Sequence, residues 1–230
     1  MKSIAISQSN YIPWKAYFDM IALVDEFVLY DDVQFTRRDW RNRNKIKTPS
    51  GIQWLTVPVK VKGKFEQRIR DTELDGREWA VTHWRKLSLN YGKARFFKEV
   101  ALWLEPIYLQ ESFATISDLN RRLIVAICKY LTLNTIISNS SDYALQDGKS
   151  ERLAGICEQA RASHYISGPA AKSYLELAPF TAKNIIVQWY VHEDYPEYQQ
   201  LWNGFDHGVS ILDVLFNCGV DSRKHLRHAN

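Results

Sequence analysis

Apolar residues fall into two alternating rhythms along the chain. Ile4-Ala5-Ile6 is a short, β-branched run that gives way to the turn-forming Ser7-Gln8-Ser9-Asn10. From Pro13, which suits a first helical position because its missing N–H has no partner there, Trp14, Tyr17, Phe18, Ile21 and Ala22 follow at helical spacing. Phe27-Val28-Leu29-Tyr30 is a second apolar run, halted by Asp31-Asp32. Strand, helix and strand in quick succession describe a βαβ unit.

Arg37 to Lys47 shows no convincing period, and Trp54 to Val59 reads as a strand edged by Pro58. Trp79 to Leu89, Phe96 to Leu109 and Phe113 to Leu131 repeat at helical spacing, which predicts a helical subdomain over residues 75–131. The alternation then resumes with Thr135-Ile136-Ile137, a helix from the N-cap candidate Ser150 to Ala160, and His164-Tyr165-Ile166. A further helix after Ser167-Gly168-Pro169 leads to Ile185-Ile186-Val187. The pattern predicts an α/β fold: a parallel, Rossmann-like sheet of about five strands with helices on both faces and an inserted or appended helical block. Without a linker-like tract, one domain over 1–230 is expected.

Composition narrows the class. With 230 residues, 46% hydrophobic and 24% charged, the chain is not disordered, collagen-like or a coiled coil. Apolar runs such as Ile21 to Val24 and Leu123 to Ile127 fall short of the roughly 20 residues of a membrane span. The N-terminus lacks a secretory apolar stretch, so a cytoplasmic location is expected. Cys128, Cys157 and Cys218 are odd in number and widely spaced, which favours reduced, buried thiols. Net charge is +4, but residues 36–70 hold eleven Lys or Arg against Asp39 and Glu66, a local +9 that leaves −5 for the rest. That asymmetry suggests a small anionic ligand more than specific nucleic acid.

Candidate chemistry gathers where strands end. Gln8 to Trp14 follows the first strand, at the carboxyl edge where open α/β sheets bind ligands. There Gln8 and Asn10 offer amides, and Tyr11 and Trp14 offer rings that either stack on a base or sugar or join the core. Asp31 and Asp32 close the second strand, where adjacent side chains point to opposite faces, so one of them enters the cleft. Which one does is not legible from sequence.

The segment from Arg37 to Lys47 interleaves guanidinium, amide and indole groups. Arg38, Asn42, Arg43, Asn44 and Lys47 are therefore expected to clamp an anionic substrate. Gly168 permits close backbone approach to such an anion, and Lys172 neutralises it. His192, after the last strand, is the general-base candidate. No metal site is expected, because the six histidines show no His-Glu-x-x-His or comparable cluster. Gly-x-Gly-x-x-Gly, P-loop and Gly-x-Ser-x-Gly patterns are also missing.

Gln8 to Phe18, Asp31 to Phe35, Trp40 to Lys47, Trp54 to Pro58, Tyr165 to Gly168 and Ser210 to Asn217 together resemble the WbqC-like family. Family members open on a pattern close to Ile-His-Gln-Pro-Asn-Tyr-x-Pro-Trp, where this chain has Ser7 and Ser9 at the His and Pro positions. Gln34 enters the substrate-binding set with the Asp31 to Phe35 motif. The resemblance implies a role in bacterial surface polysaccharide (O-antigen, lipopolysaccharide) biosynthesis, and a glycine transferase role for some members. The resulting expectation is acyl or aminoacyl transfer, glycyl included, to a nucleotide-linked amino sugar. ATP or an activated acyl donor would be the co-substrate, and a homodimer stays open. In that scheme His192, Asp31 or Asp32 deprotonates the amine, and Asn10 with backbone N–H groups steadies the oxyanion. The alternatives are a non-catalytic scaffold binding sugar nucleotides or polysaccharide, and a nucleic-acid binder. Residues 3–24 bear a looser, fold-level similarity to adenylate-forming nucleotidyltransferases, without a His-x-Gly-His motif.

Overall fold

Five parallel strands form the central sheet of the computed structural model, which describes residues 1–192 and 194–229. They are β1 (Ser3–Ser7), β2 (Glu26–Leu29), β5 (Ile136–Asn139), β6 (His164–Ser167) and β7 (Ile186–Trp189), in the order β5-β2-β1-β6-β7. The chain leaves β1 through α1 (Lys15–Ala22) for β2, reaches the β5 edge, and returns through α5 (Lys149–Gln159) to the other side of β1. Strand order thus reverses between β1 and β6, the switch point at which doubly wound sheets open a crevice.

Strand alternation builds two hydrophobic layers. Ile4, Ile6, Val28 and Tyr165 pack with Leu153, Ile156 and Cys157 of α5 and with Phe180 of α6 (Ala178–Thr181). Ala5, Phe27, Leu29 and Ile166 face the other way, onto α1 and the helical block. That block comprises α2 (Glu78–Tyr91), α3 (Phe97–Leu109) and α4 (Ile116–Tyr130), and α3 packs on α7 (Ile211–Cys218). Thr115 and Asp118 close α4 with a reciprocal capping box, a device worth about 1 kcal/mol.

Several local expectations are corrected. Residues 43–48, expected to be irregular, form β3 (Arg43–Thr48), antiparallel to β4 (Gly51–Thr56). The strand escapes pattern reading because a polar residue, Asn44, occupies an inward position beside Ile46. Pro13 precedes α1 rather than opening it, since Trp14 is the N-cap. Gly148, at φ 85°, caps α5, while the Ser150 hydroxyl accepts from the Glu176 N–H at 2.9 Å. After Gly168 the chain makes a five-residue 3-10 turn (Pro169–Ser173) before the helix expected ahead of Ile185, the short α6. The three cysteines are free thiols; burial raises that of Cys157 to about 12 and that of Cys218 to about 11.

Candidate functional site

The loop after β1 is pinned nearly residue by residue. The Gln8 carbonyl accepts from the Tyr17 hydroxyl (3.0 Å), the Ser9 N–H donates to Asp31 Oδ1 (2.8 Å), and Asn120 Nδ2 donates to Ser9 Oγ (3.0 Å). The Tyr11 N–H donates to the Trp40 carbonyl, and Asn44 Nδ2 donates to the carbonyls of Tyr11 (3.1 Å) and Ile12 (2.9 Å). These contacts hold Ile12, wholly buried, at φ 38°. A β-branched residue there costs on the order of 1–3 kcal/mol, and such strain concentrates at sites that must be preorganised.

Asn10 is the exception in this loop. Its Oδ1 is shielded from water and has no hydrogen-bond partner among the described residues. It lines a cavity of about 340 Å³ with Pro13, Trp14, Trp40, Asn44, Lys45 and Gly208. His192, exposed on the segment after β7, sets its ring against the edge of Trp14, with ring centres 5.6 Å apart. Larger clefts, such as the 480 Å³ one between Lys93–Phe96 and Gln199–Leu201, contain no residue of the sheet-edge loops.

Beside the cavity, the β3–β4 hairpin displays cations on indoles. The Arg43 guanidinium lies 4.1 Å from the Trp54 ring centre, and Lys45 Nζ lies 5.3 Å from Trp54 and 5.9 Å from Trp40. Arg43 and Lys45 have no carboxylate partner among the described residues. Arg43 Nε, although shielded from water, also lacks a hydrogen-bond acceptor there. Excess charge at this surface suits an incoming anion.

Other expected site residues have different surroundings. Tyr11 is fully buried, its hydroxyl bonded to His83 Nδ1 (2.8 Å) and the Tyr108 hydroxyl (2.6 Å), so the core claims this ring. Asn42 donates to the Val57 carbonyl within the hairpin. Lys47 is buried, and its ammonium donates to Gln200 Oε1 (2.9 Å) and to the carbonyls of Trp202 and Gly204. It anchors protein, where the sequence suggested an anion clamp.

Asp31 turns inward, holding the Ser9 N–H and accepting from the Ser117 hydroxyl of α4 (2.5 Å). Asp32 takes the opposite side, bonded to Arg70 (2.7 Å), Arg68 (3.4 Å) and the Ser140 hydroxyl (2.8 Å). Neither aspartate lines the cavity. Gln34 is exposed, its amide donating to the Phe65 carbonyl, and Arg38 is exposed at φ 58°.

Gly168 leaves the same sheet edge as the Gln8–Trp14 loop. β1 and β6 are paired in parallel, with Ala5 opposite Ile166, and Gly168 follows the last residue of β6 as Gln8 follows that of β1. With φ −65° its backbone does not require glycine, and an added Cβ would meet nothing within 4 Å. Lys172 is exposed, with Nζ 5.7 Å from the Trp189 ring centre.

Sequence reasoning identifies Asn10, Trp14 and Asn44 of the cavity lining and misses Trp40 and Lys45. The available signal is the alternation Arg43, Lys45, Lys47, with Trp54 as the cross-strand partner of Lys45. Lys15 lies outside the cavity lining. It is buried with Nζ 5.1 Å from the Tyr195 ring, 5.5 Å from Tyr198 and 5.6 Å from Phe205, and burial lowers its pKa to about 8 against the pull of Asp213 and Glu197.

The parallel sheet, its switch point and the preorganised loop after β1 define a doubly wound α/β protein whose cavity at Asn10 adjoins the carboxyl end of β1. Within that class, the chain belongs to the WbqC-like protein family, whose model matches residues 8–225. It is similar to an uncharacterized protein from Mycobacterium tuberculosis, 56% identical over 228 residues and covering 99% of each chain. No solved structure shows a significant match. Among the described residues, no helix is long and apolar enough to cross a membrane.

Proposed function

We propose that the cavity beside Asn10 receives the amino-sugar end of a nucleotide-linked sugar and that the protein transfers an acyl group, glycyl included, to its amine. The observation carrying this reading is a cavity lined by Asn10, whose buried Oδ1 has no partner among the described residues, together with two indoles, a second amide and one ammonium. Trp14 suits the apolar face of a sugar ring, Asn10 Oδ1 accepts from its amine or a hydroxyl, and Lys45 meets the phosphate.

His192, at the rim, takes the proton as the neutral amine attacks the acyl carbonyl. The new C–N bond forms as the bond to the donor's leaving group breaks. With ATP as activator, the acid's carboxylate oxygen first displaces pyrophosphate from the α-phosphorus to give an acyl-adenylate, and the leaving group of the transfer is AMP. The reading places this chemistry in the cytoplasm, in surface polysaccharide synthesis.

Serine at position 7, with both carboxylate oxygens of Asp31 engaged in the fold, favours a second reading in which the crevice binds the sugar nucleotide without turning it over. Incubation with UDP-linked amino sugars, glycine and ATP, followed by mass spectrometry, separates the two. A glycylated sugar with AMP supports transfer, and calorimetric binding without adduct supports the scaffold. Absence of both binding and product defeats both readings.

A further inference from the structure

Trp54 lies just outside the cavity and yet shares its cations. It is 38% exposed and Trp40 is 40% exposed, with ring centres 5.3 Å apart and planes inclined at 37°. Lys45 and Trp40 belong both to the cavity lining and to this outer pair, so the two surfaces are continuous. Exposed indoles flanked by cations that have no carboxylate partner among the described residues make a stacking platform for an anion-bearing ring.

We propose that Trp54, with Trp40, is the nucleobase subsite, Arg43 and Lys45 hold the diphosphate, and the sugar points inward to Asn10 and His192. The assignment rests on the reading that the ligand is a nucleotide sugar, and it fixes which end goes where. His192 packs on Trp14, whereas Trp54 packs on Trp40, so the reacting sugar belongs beside Trp14 and the base on the hairpin. Every base presents a π-face, and an open platform supplies no hydrogen-bonding edge to distinguish one base from another. Discrimination between bases is therefore weak.

The test is calorimetric titration of wild type, Trp54→Ala, Trp54→Phe and Arg43→Ala with UDP-glucosamine, UDP, ADP and inorganic pyrophosphate. Trp54→Ala weakens UDP and UDP-glucosamine by about 5- to 100-fold and leaves pyrophosphate within about 2-fold, while Trp54→Phe restores binding to within about 3-fold. Arg43→Ala weakens all four ligands, and UDP and ADP bind wild type within about 5-fold of each other. If Trp54→Ala weakens pyrophosphate as much as UDP, the indole acts only by placing Arg43 and the stacking subsite is wrong. Unchanged UDP-glucosamine affinity in Trp54→Ala sinks the subsite alone. Failure of wild type to bind any nucleotide removes the nucleotide-sugar reading together with it.

Discussion

Arg43, Lys45 and Lys47 occupy alternate positions of one strand and so share one face of it, but they have opposite fates. Arg43 and Lys45 lie on exposed indoles with no acid among the described residues to neutralise them, whereas Lys47 is covered by the segment Gln200–Gly204 and donates to three of its oxygens. Arg68 and Arg70, from the same basic stretch, are likewise engaged, by Asp32 and Asp71. A basic run thus stays available to an anion only where no internal acceptor reaches it. The count of cations says little about the ligand until the tertiary contacts remove those in structural use.

The covered side should respond most strongly to perturbation. His83 of α2 bonds the Tyr11 hydroxyl behind the site loop, and burial lowers its pKa to about 4 from an ordinary 6.5. Between those values the unfolded chain binds the proton and the folded one does not. Its contribution is therefore complete above pH 6.5 and is lost as pH falls toward 4, by about 3 kcal/mol in all. Urea titrations across pH 4 to 7 should show this slope, and His83→Phe should flatten it. An unchanged slope in the variant means that other groups drive the acid sensitivity.

Lys47→Met is expected to cost about 1–3 kcal/mol, because it removes the donor shared by part-buried acceptors on Gln200, Trp202 and Gly204. Denaturant midpoints measure it; a neutral result would put Lys47 back among the ligand-facing cations. Arg43→Ala and Lys45→Ala should do the reverse, leaving stability within about 0.5 kcal/mol while weakening nucleotide-sugar binding by about 1.5 kcal/mol each. Loss of stability without loss of affinity in these two would erase the contrast along β3.

The smallest stability change is expected for Gly168→Val, since its backbone suits any residue and the new side chain enters open space. Thermal unfolding should shift by no more than about 0.5 kcal/mol equivalent. Turnover or binding should nevertheless fall, because that space borders the β1–β6 switch point. Full retention of both would remove Gly168 from the site.

Much of the frame is legible in the pattern of apolar residues. The apolar runs at Ile4, Phe27, His164 and Ile185 each form parallel strands, and the helical spacing from Trp79 to Leu131 corresponds to α2, α3 and α4. Buried strands and amphipathic helices declare themselves because burial selects apolar residues at a fixed period. β3 does not declare itself, because Asn44 fills an inward position and is satisfied there by two carbonyls from a loop more than thirty residues earlier.

Sequence by itself determined the alternation of strands and helices, the family, the carboxyl-edge loop carrying Asn10 and Trp14, and the basic stretch. Tertiary structure alone decided that Tyr11 is core, that Asp31 faces α4 while Asp32 faces Ser140, that Lys47 is an anchor, and that Trp40 and Lys45 join the cavity. The physical reason is common to all four. Periodicity reports whether a position is buried, a property summed over many neighbours, whereas the role of a polar group depends on the one or two partners that the fold brings within about 3 Å of it.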